Sequence, residues 1–485
     1  MARYAALVVL LLLLWGSRLA ALDSLPLHND EGLHLTRAVE VWNGNPFWQI
    51  NDGKIVNHWL IALFYPQSAP EFVGRVATVL VALIGLAAGY AIVRPRFGTR
   101  AALLAGAIWI ASPYLFFYER LAFSDAQAGA LVVLALWASL RLARTGKLRD
   151  ALLMGVALAL AALFKVTAVP YTLSVALVVL LLAKYPLRRR VGLLAIAAGV
   201  VALAFAGPLL LLMMRGSGIF DIAMGWIGAG PGGRLPNPTE NLALLGELLI
   251  GFGNPFVILA MIVGPLALLI RYEGRVLVLA AFLPLAIMLL IGREVMPRHY
   301  VVALPFWLTL AGAGTGLLVE RVPIRLRSPL TATALAVLAI GLMPTLLTAN
   351  NPAEMPMPDA VRAEHLTEHS AGTGLREAMF DLPTRVGSGA SVVASMFPDS
   401  CRRANFYTQG VTIHCTDAPG TALITALLND QSRVYVLTDS APNIGADVPA
   451  LAAELGAQAE RITGYPRPGE SEDTASVVLW LIENS

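Results

Sequence analysis

Residues 191–214 read VGLLAIAAGVVALAFAGPLLLLMM, 24 consecutive residues without a charge. A helix of that length rises about 36 Å, enough to cross a hydrocarbon core roughly 30 Å thick. Outward from it, apolar runs separated by charged or Pro/Gly-rich breaks fall at 70–93, 101–118, 125–142, 150–166, 168–183, 244–270, 276–292, 301–319 and 330–348. Residues 4–22, YAALVVLLLLLWGSRLAAL, add a first one. The alternative for that run, a cleaved signal peptide, fits less well with so many spans behind it. The expected fold is mainly α: a polytopic transmembrane helical bundle of about eleven spans.

Composition agrees. Hydrophobic residues make up 57% and charged residues 14% of the 485-residue chain, against roughly 45–50% and about 25% in soluble domains. A formal net charge of only +3 removes the electrostatic case for a nucleic-acid partner. Disorder and collagen-like repetition are excluded by the same numbers.

Lysine and arginine set the expected orientation, because in short loops they favour the cytoplasm. With the N-terminus inside, compact cytoplasmic clusters such as Arg94, Arg96 and Arg100, or Lys184 and Arg188 to Arg190, hold 17 of these residues. The rest of residues 1–349 holds ten, spread over helix ends and longer loops. Residues 350–485 then lie outside, as a small extracytoplasmic α/β domain behind a transmembrane module at 1–349. β-like runs at 391–395, 433–438 and 476–482 alternate there with helix-like stretches near 421–429 and 447–461. NNPAEMPMPDA, from Asn350, reads as the linker. The two cysteines, Cys401 and Cys415, are read either as a disulfide or as two unpaired core residues. No fixed-period repeat and no inverted copy of one half is visible.

The polar residues collect on one expected face. The first external loop, residues 23–69, opens on Asp30-Glu31 in PLHNDEGLHLTRAVEVWNGNP. Glu31, His34/Leu35 and Ala38 fall at helical spacing, so an amphipathic interfacial helix is expected with the pair at its N-terminus. The pair suits acid/base chemistry; equally, Asn29 or Asp30 caps the helix and Glu31 complements its dipole. Asp125, in YERLAFSDAQAGALVVLALW, starts the fourth span just after Glu119 and Arg120, and Ser124 or Asp125 again reads as a cap or as a site. Lys165, in ALFKVTAVP, interrupts apolar sequence at an external turn and either serves a site or snorkels to the interface. REVMPRHYVVALPFW contributes Arg293, Glu294, Arg298, His299 and Tyr300, with the arginines either awaiting an anion such as phosphate or pairing at the surface with Glu294. The Gly/Pro-rich loop 215–243, with Phe220, Met224, Trp226 and Ile227, reads as a cover for a lipid substrate or an interfacial anchor. His28, His34, His58 and Asp30 match no familiar ligand spacing, whereas Asp30 and Asp125 suit a hard cation, Mg²⁺ or Mn²⁺, with phosphate help. Neither a P-loop nor a strand-borne GxGxxG is present.

In order and face, HNDEGLHLTRA, FSDAQAGALVVL, LALAALFKVTA and MPRHYVVALPFWLTLAG resemble the polytopic GT-C glycosyltransferases, in particular the branch of protein O-mannosyltransferases and lipid A aminoarabinose transferases. The resemblance covers about residues 1–320. It implies a polyprenyl-phosphate sugar donor used extracytoplasmically without nucleotide, Asp30 or Glu31 as catalytic carboxylate, Asp125 as second acid, and Lys165 and Arg298 near the phosphate. Where many relatives carry a Lys-Pro-Pro-like run, this chain reads KIVNHWLIALFYP, with Lys54, Asn57 and His58, which leaves donor and acceptor identity open.

The residue types suit that chemistry by themselves. A phosphate leaving group needs no general acid, the acceptor hydroxyl needs a base, and a carboxylate serves. Lys165, Arg293 or Arg298 would stabilise charge on the leaving oxygen, with Arg120, His58 and Tyr300 as further substrate-binding candidates. One base and direct displacement predict inversion. The expected protein is a plasma (inner) membrane glycosyltransferase acting on a lipid, glycan or protein acceptor among membrane lipids. The alternatives are a transporter or flippase of lipid-linked glycans, which would place ionisable residues at the bilayer midplane, and an assembly protein acting through its tail.

Overall fold

The computed structural model describes residues 2–65, 67–218, 221–222, 235–293, 295–408, 410–416, 421–430, 433–439 and 447–484. Helix α1 (Ala2–Leu19) is followed by the loop helices α2 (Asn29–Trp42) and α3 (Ile55–Ala62) and by α4 (Pro70–Phe97). Next come α5 (Thr99–Ile110), α6 (Pro113–Tyr118), α7 (Ser124–Thr145), α8 (Leu148–Phe164), α9 (Tyr171–Leu182) and α10 (Leu187–Met214). The bundle closes with α11 (Pro238–Gly251), α12 (Pro255–Leu268), α13 (Tyr272–Ile291), α14 (Leu304–Val319) and α15 (Ile324–Leu347).

Five of these, α4, α7, α10, α13 and α15, are long and apolar enough to cross a membrane, and shorter apolar helices accompany them. Two expected spans are broken. Residues 101–118 divide at Ser112, whose hydroxyl accepts from the Leu115 amide and starts α6 ahead of Pro113. Residues 244–270 divide at Gly253, which takes φ +69°, followed by Asn254, whose side chain caps α12. α4 and α7 pack side by side in the bundle core: a Cβ on Gly85 would meet that of Ala130 at 2.6 Å, so the close approach requires glycine.

The tail follows with α16 (Asp359–Arg362), α17 (Leu375–Val386), α18 (Pro398–Ala404), α19 (Thr421–Asp430) and α20 (Val448–Glu454). Its sheet has strands β1 (Ser391–Ser395), β2 (Thr412–Thr416), β3 (Arg433–Asp439), β4 (Ala457–Tyr465) and β5 (Val477–Asn484), in the order β2-β1-β3-β5-β4. β1 lies parallel to β2 and β3, whereas β5 runs antiparallel to β3 and β4. The three expected strands are present. The helix expected over 447–461 stops at Glu454, because Gly456 at φ +68° turns the chain into β4. Within the segment read as the linker, Met355 and Met357 pack into the bundle core.

Cys401 and Cys415 form a disulfide between α18 and β2, with Cα atoms 5.9 Å apart. Closing a loop of 14 residues is worth about 3 kcal/mol. Replacing both cysteines by serine should therefore lower the thermal unfolding midpoint of the tail in detergent, and dithiothreitol should do the same to the native chain. An unchanged midpoint in both would refute it.

Candidate active site

The site begins at the N-terminus of α2. His28 is the N-cap: its Nδ1 accepts from the Asp30 amide at 3.1 Å, while Glu31 accepts from the His28 amide, completing a capping box. Neither Asn29 nor Asp30 caps the helix, so Asp30 is left free to project. Burial pushes the His28 imidazole down to about 3, so it is neutral, with Nδ1 as acceptor. α2 is held between α3 and the tail helix α18, where a Cβ on Gly32 would meet Arg403 Cβ at 2.5 Å. Asn29 binds the tail through its amide, which donates to the Ser370 carbonyl, and through Oδ1, which accepts from the Ser400 hydroxyl.

The two acids of the pair separate in role. The Glu31 side chain is fully buried, and both of its oxygens are occupied: Arg75 Nε and Nη2 donate at 2.9 and 2.8 Å, the Ala122 amide at 2.7 Å and the His28 amide at 3.1 Å. The Asp30 side chain is 24% exposed and ion-pairs with Arg298 Nη1 at 3.0 Å. Burial acts to raise the Asp30 carboxyl, but the Arg298 and Lys54 charges outweigh it and hold it well below the ordinary carboxylate range.

Arg298 Nη1 also donates to Glu364 at 3.1 Å, and its guanidinium lies 5.2 Å from the Phe123 ring centre. Its Nε has no hydrogen-bond partner among the described residues, which leaves a buried donor for an anionic oxygen. Burial raises the Glu364 carboxyl above its usual value against the pull of Arg298. Beside this group, Lys165 Nζ ion-pairs with Asp125 at 3.2 Å. Asp125 does not cap α7, whose N-cap Phe123 makes no side-chain bond, and Lys165 turns inward at the end of α8 instead of snorkelling. The charges of Lys54, Arg298 and Asp30 all act on Lys165, so the groups share one electrostatic neighbourhood. A third group flanks it: Arg37 and Lys54 hold Asp52 at 2.7 and 3.2 Å, and His34 Nδ1 lies 3.1 Å from His58 Nε2.

Thus Asp30, Asp125, Lys165 and Arg298 come together, with His58 in the flanking group. Three candidates do not join them. The buried Tyr300 hydroxyl donates to the Asn241 carbonyl at 2.6 Å and anchors α11. Arg120 donates to the carbonyls of Ala20 and Ala21 and lies over Phe116. Arg293 is exposed, and its expected partner Glu294 lies outside the described residues, as do Phe220, Met224, Trp226 and Ile227 of the loop at 215–243. Of the two acids expected to suit a divalent cation, Asp30 pairs with Arg298 and Asp125 with Lys165.

Sequence reasoning missed Glu364, Arg37 and Asp52. Glu364 stands 66 residues from Arg298 in a segment with no periodic signal. Arg37 was recoverable, because Asp30, His34 and Arg37 repeat at helical spacing on one face of α2.

Residues 52–211 match the family of dolichyl-phosphate-mannose-protein mannosyltransferases, a segment that carries Lys54, His58, Asp125 and Lys165. No curated protein matches the sequence. Among solved structures, ArnT from Cupriavidus metallidurans in the apo state superposes with a TM-score of 0.68 at 14% identity, covering 99% of this chain and 98% of that one. The same protein bound to undecaprenyl phosphate gives 0.66 at 15% identity, covering 98% of each chain. The chain thus shares the fold of ArnT over nearly its whole length, and within it residues 52–211 are similar to the dolichyl-phosphate-mannose-protein mannosyltransferases.

Proposed function

We propose that the chain transfers one sugar from a polyprenyl-phosphate donor to a lipid, glycan or protein acceptor, with inversion, on the extracytoplasmic face of the plasma (inner) membrane. The observation that carries this reading is the pairing of the part-exposed Asp30 carboxylate with Arg298, beside the ion pair of Lys165 with Asp125. The undecaprenyl phosphate bound by ArnT supports the donor class, and the lysine/arginine asymmetry of the loops supports the side. Asp30 takes the proton of the acceptor hydroxyl as its oxygen attacks the anomeric carbon. The bond from that carbon to the phosphate oxygen breaks, its electron pair leaves with the phosphate, and the anomeric centre inverts. Arg298 Nε and Lys165 face the charge that grows on the leaving oxygen. Asp125 positions Lys165, and Glu364 shares Arg298 with Asp30. The tail from Asn350 completes the site, because it supplies Glu364 and holds the N-terminus of α2.

Purified protein incubated with a panel of radiolabelled polyprenyl-phosphate sugars and membrane lipid extract should consume one donor and label an acceptor. Turnover should survive a chelator, because Asp30 and Asp125 are each paired with a cationic side chain. A protein that binds donor without ever cleaving it is a transporter of lipid-linked glycans, and the transferase reading fails.

A further inference from the structure

At the opposite end of α4 and α7 from Asp125 lies a cleft lined by Ala91, Pro95, Arg96, Trp137, Arg141 and Arg144. Asp125 opens α7 and Arg141 follows 16 residues later, so about 24 Å along the helix axis separates the cleft from the acids. The two helices touch at Gly85 and Ala130, and beyond that contact Trp137 and the arginines line the cleft.

Two observations make this more than the basic fringe expected of a membrane protein. First, α7 is buried at every position except Leu134, Trp137, Arg141, Arg144 and Thr145. The first four repeat at helical spacing, so one stripe runs from apolar to cationic and ends in the cleft. α4 leaves a matching stripe through Ile84, Ala87 and Ala91. Second, the charges in the cleft are unbalanced. Arg96 pairs with Glu273, and Arg141 pairs with Asp150 at 3.0 Å while lying over the Trp137 ring at 4.7 Å. Arg141 Nε keeps no hydrogen-bond partner, and Arg144 is exposed and unpaired among the described residues. One net positive charge and a free buried donor therefore stand at the foot of an apolar groove.

We infer that this cleft binds an anionic glycerophospholipid, its phosphodiester on Arg141 and Arg144 and an acyl chain along Leu134 and Ile84. A single negative charge balances the site, and the stripe above gives the chain a groove that free phosphate would not use. The site is separate from sugar transfer and does not depend on that reading.

Native mass spectrometry of the full chain in detergent, with phosphatidylglycerol or phosphatidylcholine added, tests it. The wild type should retain one phosphatidylglycerol in preference to phosphatidylcholine. Charge reversal in Arg144→Glu should weaken that binding about tenfold or more, since each cation near an anionic lipid is worth about fivefold. Arg144→Ala should weaken it about fivefold. Arg188→Glu, at an exposed arginine outside the cleft, should bind as the wild type does. Equal retention of the two lipids, or wild-type binding by both Arg144 variants, overturns the inference. Displacement of the lipid by millimolar inorganic phosphate overturns the lipid assignment in favour of a free-phosphate site.

Discussion

Asp30→Asn should reduce the turnover number by about 10²- to 10⁴-fold, the range supplied by a positioned general base, while donor binding holds or tightens. The second half of the expectation separates a base from a structural acid. In the native protein Arg298 is shared between Asp30 and Glu364, so a phosphate must compete with two carboxylates for it. Asparagine keeps the shape of Asp30 and removes one competitor, leaving Arg298 more available to the donor. Folding should be little changed, because the Asp30 side chain is part-exposed and the α2 cap is made by His28 and Glu31. Turnover within a few-fold of wild type would exclude Asp30 as the base.

The pH profile follows from the same contact. Arg298 and Lys54 hold the Asp30 carboxyl below the ordinary carboxylate range, so the base is ionised at neutral pH and kcat/KM should fall only in strong acid. Arg298→Met removes the larger of those opposing charges and leaves burial to act upward. The acid limb should then move toward neutral pH, by about one to two units, on top of the loss of leaving-group stabilisation. An acid limb that stays in place would show that another group sets it.

Much of this site was legible because charge inside apolar sequence is costly and therefore conspicuous. Asp125, Lys165 and Arg298 stood out as ionisable residues at the ends of apolar runs, and the bundle was legible from the length of those runs. What stayed hidden depended on contacts far apart in sequence. Glu364 reaches Arg298 only because the segment after α15 folds back over the bundle, and no local pattern announces such a return. The capping of α2 by a histidine was hidden for a different reason: Asn and Asp are the usual caps, and both follow directly. The sheet order and β2 depend on pairing partners outside any short window. The breaks before α6 and α12 were marked by Ser-Pro and Gly-Asn-Pro, signals outweighed by the apolar residues on either side.

The pair Asp30-Glu31 offers two carboxylates for one catalytic role, and stability is the readout that tells them apart. Glu31 and Arg75 are both fully buried, and Arg75 also donates to the carbonyls of Leu22, Leu25 and Pro26. Together they pin the start of α2 to α4, while the Ala122 amide ties Glu31 to the turn before α7. Removing one partner of a buried ion pair leaves the other charge without compensation and costs about 3–5 kcal/mol. Glu31→Gln and Arg75→Met should therefore each lower the unfolding midpoint in detergent clearly below that of Asp30→Asn. Both should also lose turnover, because the helix that aims Asp30 loses its anchor. Activity alone cannot separate Glu31 from Asp30, but the combination can: low stability with low turnover marks an anchor, and native stability with low turnover marks a base. If Glu31→Gln melts like the wild type and is inactive, while Asp30→Asn remains active, the catalytic carboxylate is Glu31 and Asp30 is the residue that orders Arg298.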